Sequence, residues 1–183
     1  MSMFHSNTER LIDYWRARKV DRLCPARSAI DPADFTDLLP QVFILGRTEK
    51  GDYAFRLAGG LATDLHQRDL RGVDFLSLWA NQDRARLAAA MEAGRRAGEP
   101  VIVVAGARTA DGDLARIEFL LAPLRADGLI PDRCMGIYQP LSHLGALRGR
   151  PLGELELIRF GGSEHDERFP RLRLATVDGQ RVD

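Results

Sequence analysis

Residues 53–79 read Tyr-Ala-Phe-Arg-Leu-Ala-Gly-Gly-Leu-Ala-Thr-Asp-Leu-His-Gln-Arg-Asp-Leu-Arg-Gly-Val-Asp-Phe-Leu-Ser-Leu-Trp, and this stretch decides the fold. Tyr53, Phe55 and Leu57 alternate with other residues, which predicts a strand with these three side chains on one face. A pair of glycines then ends the alternation, and short helical spacing follows. Irregular backbone of this kind commonly folds over one face of a sheet, where it covers a cavity or a partner site.

The neighbouring segments supply the rest of a sheet. A strand at 41–46 and a turn at 49–52 precede the opening stretch, so the two strands form a hairpin. A helix is predicted over 81–98, ended by Gly98. Three more strands follow it, the first two joined by an Asp-Gly turn. Their predicted ranges are 101–106, 114–124 and 133–141.

An amphipathic helix is predicted near the N-terminus, over 7–20. Ser6 and Glu9 have the spacing of a capping box. Leu11, Ile12 and Trp15 line one face of the helix. This stripe packs either on its own domain or against a second copy of the chain, and the sequence alone leaves both arrangements open. A second, short helix is expected over 32–39.

The amino-acid composition limits the classes of protein to which the chain can belong. The 183 residues carry 26 basic and 26 acidic side chains, so no net charge draws the chain toward nucleic acid or an anionic membrane. The two cysteines, Cys24 and Cys134, are far apart and have no zinc-ligand spacing. No signal peptide and no membrane span is visible, and a cytoplasmic location is expected.

Three short patterns carry a family resemblance. They are Tyr53-x-Phe55-Arg56-Leu57-Ala58-Gly59, Leu70-x-Gly72-x-x-Phe75-x-x-Leu78-Trp79 and Leu120-Leu121-x-Pro123-Leu124. Together with the order of elements, they resemble a PAS domain of a stand-alone alphaproteobacterial family long labelled as of unknown function. The resemblance implies an α+β fold, with a five-stranded antiparallel sheet and capping helices. We expect an N-terminal helical extension at 1–39, the PAS-like core at 40–141 and a partly ordered C-terminal extension at 142–183. Within that extension, 152–160 and 171–174 have strand-like alternation.

The resemblance also implies a function and a site. A PAS-like chain is expected to act as a sensory or regulatory module in bacterial signal transduction, through a protein partner and without enzymatic activity. It is expected to form a homodimer through the Leu11, Ile12 and Trp15 stripe. A small apolar ligand would bind between the sheet and the helices, although the same residues also suit a filled core. The expected pocket residues are Phe55, Leu57, Leu65, His66, Phe75, Leu78, Trp79, Leu87, Met91, Val103, Phe119 and Ile137.

Signatures of the common PAS cofactors are missing from the sequence. The helix at 81–98 contains no histidine for haem, and residues 64–68 contain no cysteine for a flavin or a thioester-linked chromophore. We therefore expect no cofactor and no metal. His66 is the one titratable group in the capping helices that would suit a pH or metal switch. The alternative is an exposed or hydrogen-bonded surface histidine, since Gln67, Arg68 and Asp69 flank it.

Two other functional classes remain as alternatives. A small cone-shaped enzyme similar to the steroid isomerases would use Asp64 or His66 as a base in an apolar pocket. The chain order counts against it, because that fold places most of its helices first. Nucleic-acid binding would use the basic residues Arg16, Arg18, Lys19, Arg22 and Arg27. The neutral overall charge counts against this second alternative.

Overall fold

A six-stranded antiparallel sheet forms the centre of the computed structural model. The structure describes residues 4–20, 24–126, 128, 130–147 and 149–161. The strands are β1 (Val42–Arg47), β2 (Tyr53–Ala58), β3 (Val101–Arg108), β4 (Leu114–Leu124), β5 (Arg133–Pro140) and β6 (Leu155–Gly161). Their spatial order is β2-β1-β5-β4-β3-β6.

Helices connect and cover these strands. Among the described residues, the α-helices are α1 (Ser6–Arg16), α2 (Gly60–His66) and α3 (Asn81–Ala97), and 3₁₀ segments lie at Arg27–Ala29, Pro32–Leu38, Phe75–Leu78 and Leu144–Leu147. Gly98 ends α3 with a φ of 67°, as the sequence predicts. The N-cap of α1 is His5, whose Nδ1 accepts a hydrogen bond from the backbone N–H of Asn7. The expected Ser6 cap is therefore wrong by one residue.

The sheet separates two hydrophobic cores. The cap-side core lies between the sheet and the helices that follow β2, and the α1-side core lies on the opposite face. The cap-side core includes Phe43, Leu65, Phe75, Trp79, Leu87, Phe119, Tyr138, Leu147 and Leu155. The α1-side core includes Leu11, Ile12, Trp15, Phe35, Val42, Leu120, Met135 and Ile137. Burial on both faces explains why β3, β4 and β5 read as nearly continuous apolar runs.

The N-terminal helix covers its own sheet. Leu11 and Trp15 are 0% exposed and Ile12 is 3% exposed within a single chain. The Trp15 indole N–H donates to the Pro123 carbonyl at 2.8 Å. The predicted use of this stripe as a dimer interface is therefore wrong, because an apolar sheet face next to the helix buries it first.

The fold class is confirmed, and the sheet gains one strand over the expected five. β6 pairs antiparallel with the β3 edge, with Leu155 opposite Ala107 and Gly161 opposite Ile102. The strand-like alternation at 152–160 predicted this element. The residues at 171–174 lie outside the described part of the chain.

A β-bulge in β2 corrects the predicted face of one pocket residue. Ile44 of β1 pairs with Leu57, whereas the next residue, Leu45, pairs with Phe55, so Arg56 is the extra residue. Alternation shifts by one position at the bulge. Tyr53 and Phe55 point into the cap-side core, but Leu57 is 47% exposed and does not line a pocket.

Candidate functional site

Aromatic rings fill the space between the sheet and the helices that follow β2, which together are called the helical cap. Phe43 and Phe75 are stacked with their centroids 5.9 Å apart, and Phe119 lies 4.7 Å from Tyr138 and 5.3 Å from Trp79. Such edge and offset contacts add to the burial of large apolar surfaces. At the sheet, a Cβ on Gly136 would collide with the Phe43 ring, so only glycine fits beneath that ring. These contacts place side chains where the sequence left room for a ligand.

The structure brings most of the predicted pocket residues together. Nine are buried in the cap-side core, and His66 is half-buried at its edge. The nine are Phe55, Leu65, Phe75, Leu78, Trp79, Leu87, Met91, Val103 and Phe119. They contact one another as a core, so their burial does not test whether they bind a ligand.

Ile137 was assigned to the wrong face of the sheet. It lies in the α1-side core, whereas its neighbour Tyr138 projects into the cap-side core. Both faces of β5 are apolar, so the pattern of the strand alone does not fix the phase of its alternation. Tyr138 was the signal in the sequence that could have fixed the phase, because the hydroxyl of a buried tyrosine needs a polar partner.

Tyr138 finds that partner in His66 of α2. The His66 Nε2 and the Tyr138 hydroxyl oxygen are 3.1 Å apart, and the rings meet edge to face. Burial, together with the nearby Arg68 cation, lowers the pKa of His66 to about 4. Burial also raises the pKa of the Tyr138 hydroxyl. At neutral pH, both groups are therefore uncharged and share one hydrogen bond between the cap and the sheet.

The segment after β5 fastens the same helix from outside. Leu152 donates its backbone N–H to the Leu65 carbonyl at 2.8 Å, and the Gln67 side chain donates to the Gly149 carbonyl at 2.6 Å. Leu147 is buried at 3% exposure and Leu152 at 7%. Residues 144–147 and 149–152 therefore form an outer layer over α2, a role that the sequence did not indicate.

A shallow pocket opens at the other end of the sheet, beside the C-terminal half of α3. Its volume is about 270 Å³, including the part open to solvent. Burial, followed by the influence of Cys134 and Glu92, raises the pKa of Tyr53 to about 12. Burial also raises the pKa of the Cys134 thiol, so neither group is a ready nucleophile. The lining residues are Tyr53, Met91, Gly94, Arg95, Glu99, Leu121, Pro123, Arg133 and Cys134.

The two cysteines and the metal-ligating side chains form no metal centre in the described ranges. No group of three or more His, Cys, Asp or Glu side chains comes together there. Cys24 is 2% exposed and Cys134 is 4% exposed, so both thiols are buried. The indole N–H of Trp79 is buried without a hydrogen-bond partner among the residues described.

None of the helices described is long and apolar enough to cross a membrane.

Family comparison agrees with the architecture. A sequence model of the PAS domain matches residues 3–139, which is most of the chain. The chain belongs to the PAS domain family. Family membership supports a sensory signalling role for the chain. It does not favour the cone-shaped enzyme, and Asp64 of that alternative is exposed on α2. No curated protein matches the sequence.

Solved structures of similar shape are light-oxygen-voltage (LOV) proteins. The LOV protein of Rhodobacter sphaeroides is 15% identical, with 64% of this chain and 72% of that chain covered and a TM-score of 0.47. A LOV domain studied with a flavin analogue is 16% identical, covering 63% and 87%, with a TM-score of 0.48. An RNA-binding LOV receptor is 18% identical, covering 71% of this chain and 38% of its own, with a TM-score of 0.46.

Proposed function

We propose that this PAS-family chain is a regulatory module of bacterial signal transduction that acts by binding another protein. The observation that carries the proposal is the filled cap-side core. Phe43, Phe75 and Phe119 occupy its centre with ring centroids 5.9 to 6.5 Å apart. A core closed by its own side chains needs no resident ligand for stability. Its output then depends on the surfaces that the fold presents to partners, without catalysis, in the cytoplasm.

The helical cap is the element that a signal would move. At α2 it is held by the His66–Tyr138 hydrogen bond on the sheet side and by the Leu152–Leu65 and Gln67–Gly149 hydrogen bonds on the outer side. These are few hydrogen bonds compared with those between the paired strands of the sheet. A partner or a small apolar ligand that binds better to an opened cap would shift the population toward that state. A homodimer would use a surface other than the Leu11, Ile12 and Trp15 stripe.

Native mass spectrometry of the purified chain, with an absorbance spectrum of the same sample, tests the closed core. We expect a mass equal to one or two copies of the 20.4 kDa chain, without an added small molecule and without visible absorbance. Detection of a retained small molecule would contradict the closed core and would indicate a ligand-loaded sensor instead. Affinity capture from the source bacterium, followed by a binding measurement with both proteins purified, tests the partner. A failure of every captured protein to bind in the purified pair would overturn the proposal.

A further inference from the structure

Two guanidinium groups meet over one glycine on the α1 side of the sheet. A Cβ placed on Gly46 would lie 2.5 Å from the Arg56 Nε and 2.6 Å from an Nη of Arg133. The two nitrogens are therefore no more than about 5 Å apart. Arg133 lies opposite Gly46 in the β1–β5 ladder, and Arg56 is the bulged residue of β2. A missing side chain and a β-bulge together bring these like charges close.

Neither guanidinium has an anionic partner within the described ranges. Several other surface arginines are paired: both Nη atoms of Arg10, for example, donate to the Asp37 carboxylate, at 2.6 and 2.8 Å. The side chains of Arg56 and Arg133 make no ion pair or hydrogen bond to any residue that the structure describes. Two adjacent cations repel each other, and a shared oxyanion would remove that repulsion while forming charge-assisted hydrogen bonds.

An apolar surface lies beside the two cations. Leu57 is 47% exposed and pairs with the half-buried Ile44. Ile44 and Gly46 are two residues apart on β1 and share a face of the sheet, so Leu57 is a diagonal cross-strand neighbour of Gly46, at roughly 7–8 Å. An exposed leucine alone is ordinary. Here it adjoins two unpaired charges that a single acidic segment can reach.

We propose that Arg56, Arg133 and Leu57 form the docking surface for a partner segment that carries a carboxylate next to an apolar side chain. The inference rests on the proposed function and names the chemistry of the partner. The surface is open, and Arg56 is exposed, so a free anion would keep most of its hydration and bind weakly. A peptide segment also gains apolar contact with Leu57, which a free anion does not. The chain has no net charge to hold a nucleic-acid backbone.

A titration followed by NMR tests this surface with defined probes. The probe is the capped peptide Gly-Glu-Leu-Glu-Leu-Glu-Gly, and its control has Gln at each Glu position. We expect saturable shifts at the Gly46 and Leu57 amides and at the Nε–H groups of both arginines. Binding should weaken about tenfold for the Gln peptide, for Arg56→Gln and for Arg133→Gln, because each change removes charge-assisted hydrogen bonds. Arg71→Gln is the matched control, because Arg71 is exposed and has no ion pair within the described ranges.

Other outcomes would overturn the inference. Equal binding of the two peptides, or an equal loss in Arg71→Gln, would show that no specific acidic site exists. Inorganic phosphate binding as tightly as the peptide would assign the site to a free anion, and tighter binding of a short RNA oligonucleotide would assign it to nucleic acid. If a captured partner binds wild type and Arg133→Gln equally well, the proposed function remains and its docking surface lies elsewhere.

Discussion

At the scale of single residues, His66 determines how the fold responds to acid. Its pKa is about 4 in the folded chain and about 6.5 when it is exposed in the unfolded chain. Between these values the unfolded state binds the proton and the folded state does not, so stability falls as the pH falls. We expect a loss of about 2 kcal/mol of unfolding free energy from pH 7 to pH 5, measured by urea denaturation.

A His66→Gln variant separates this effect from other titrations. Glutamine can hydrogen-bond the Tyr138 hydroxyl but does not titrate. Its unfolding free energy should therefore change little over the same interval. The pKa of Glu92, lowered to about 2 by hydrogen bonds from Arg95, affects stability only below about pH 4.5. Parallel pH profiles for wild type and His66→Gln would contradict the prediction.

At the scale of secondary structure, local signals predicted where elements begin and end. Asp31 caps the helix that begins at Pro32 by accepting the Ala33 N–H at 2.9 Å, and Gly98 ends α3. These signals act over a few residues, so the sequence contains them. The bulge at Arg56 depends on pairing with β1, and the face of Ile137 depends on which layer covers β5. Such choices are made by tertiary packing, which is why the face of Leu57 was predicted wrongly.

The candidate site was predictable to the same extent. The apolar periodicity identified Phe75, Trp79 and Phe119 as core positions, because burial leaves a regular pattern along an element. It did not identify Tyr138 or the outer layer formed by residues 144–147 and 149–152. Both result from contacts between segments far apart in sequence, as in the 72-residue separation of His66 and Tyr138.

The junction between α3 and β6 provides a prediction at this scale. The buried Asp83 carboxylate accepts the Leu157 backbone N–H at 2.9 Å, which fastens the added edge strand to the helix. Replacing Asp83 with Ala should cost about 1–3 kcal/mol, since a buried backbone N–H loses its acceptor. Asp83→Asn keeps an acceptor oxygen and should cost less. Urea denaturation measures the loss, and hydrogen exchange of the Leu157 amide locates it. Equal exchange at Leu157 in all three proteins would contradict the assignment.

At the scale of the whole molecule, the sheet is shared by two cores, and each core contains one of the two tryptophans. Trp15 lies in the α1-side core and Trp79 in the cap-side core, and both are 0% exposed. Because β4 and β5 contribute side chains to both cores, we expect the layers to unfold together. Trp15→Phe leaves fluorescence from the cap side only, and Trp79→Phe leaves it from the α1 side only.

Each single-tryptophan variant carries its own control. The urea midpoint from fluorescence should equal the midpoint from far-ultraviolet circular dichroism of the same sample, in both variants. Because the two midpoints are compared within one sample, a difference in stability between the two variants does not affect the result. If Trp15 fluorescence changed at lower urea than the circular dichroism, α1 would detach before the sheet unfolds. The apolar face of β4 and β5 would then be available to a partner, and the Leu11, Ile12 and Trp15 stripe would regain the intermolecular role that its burial in one chain now excludes.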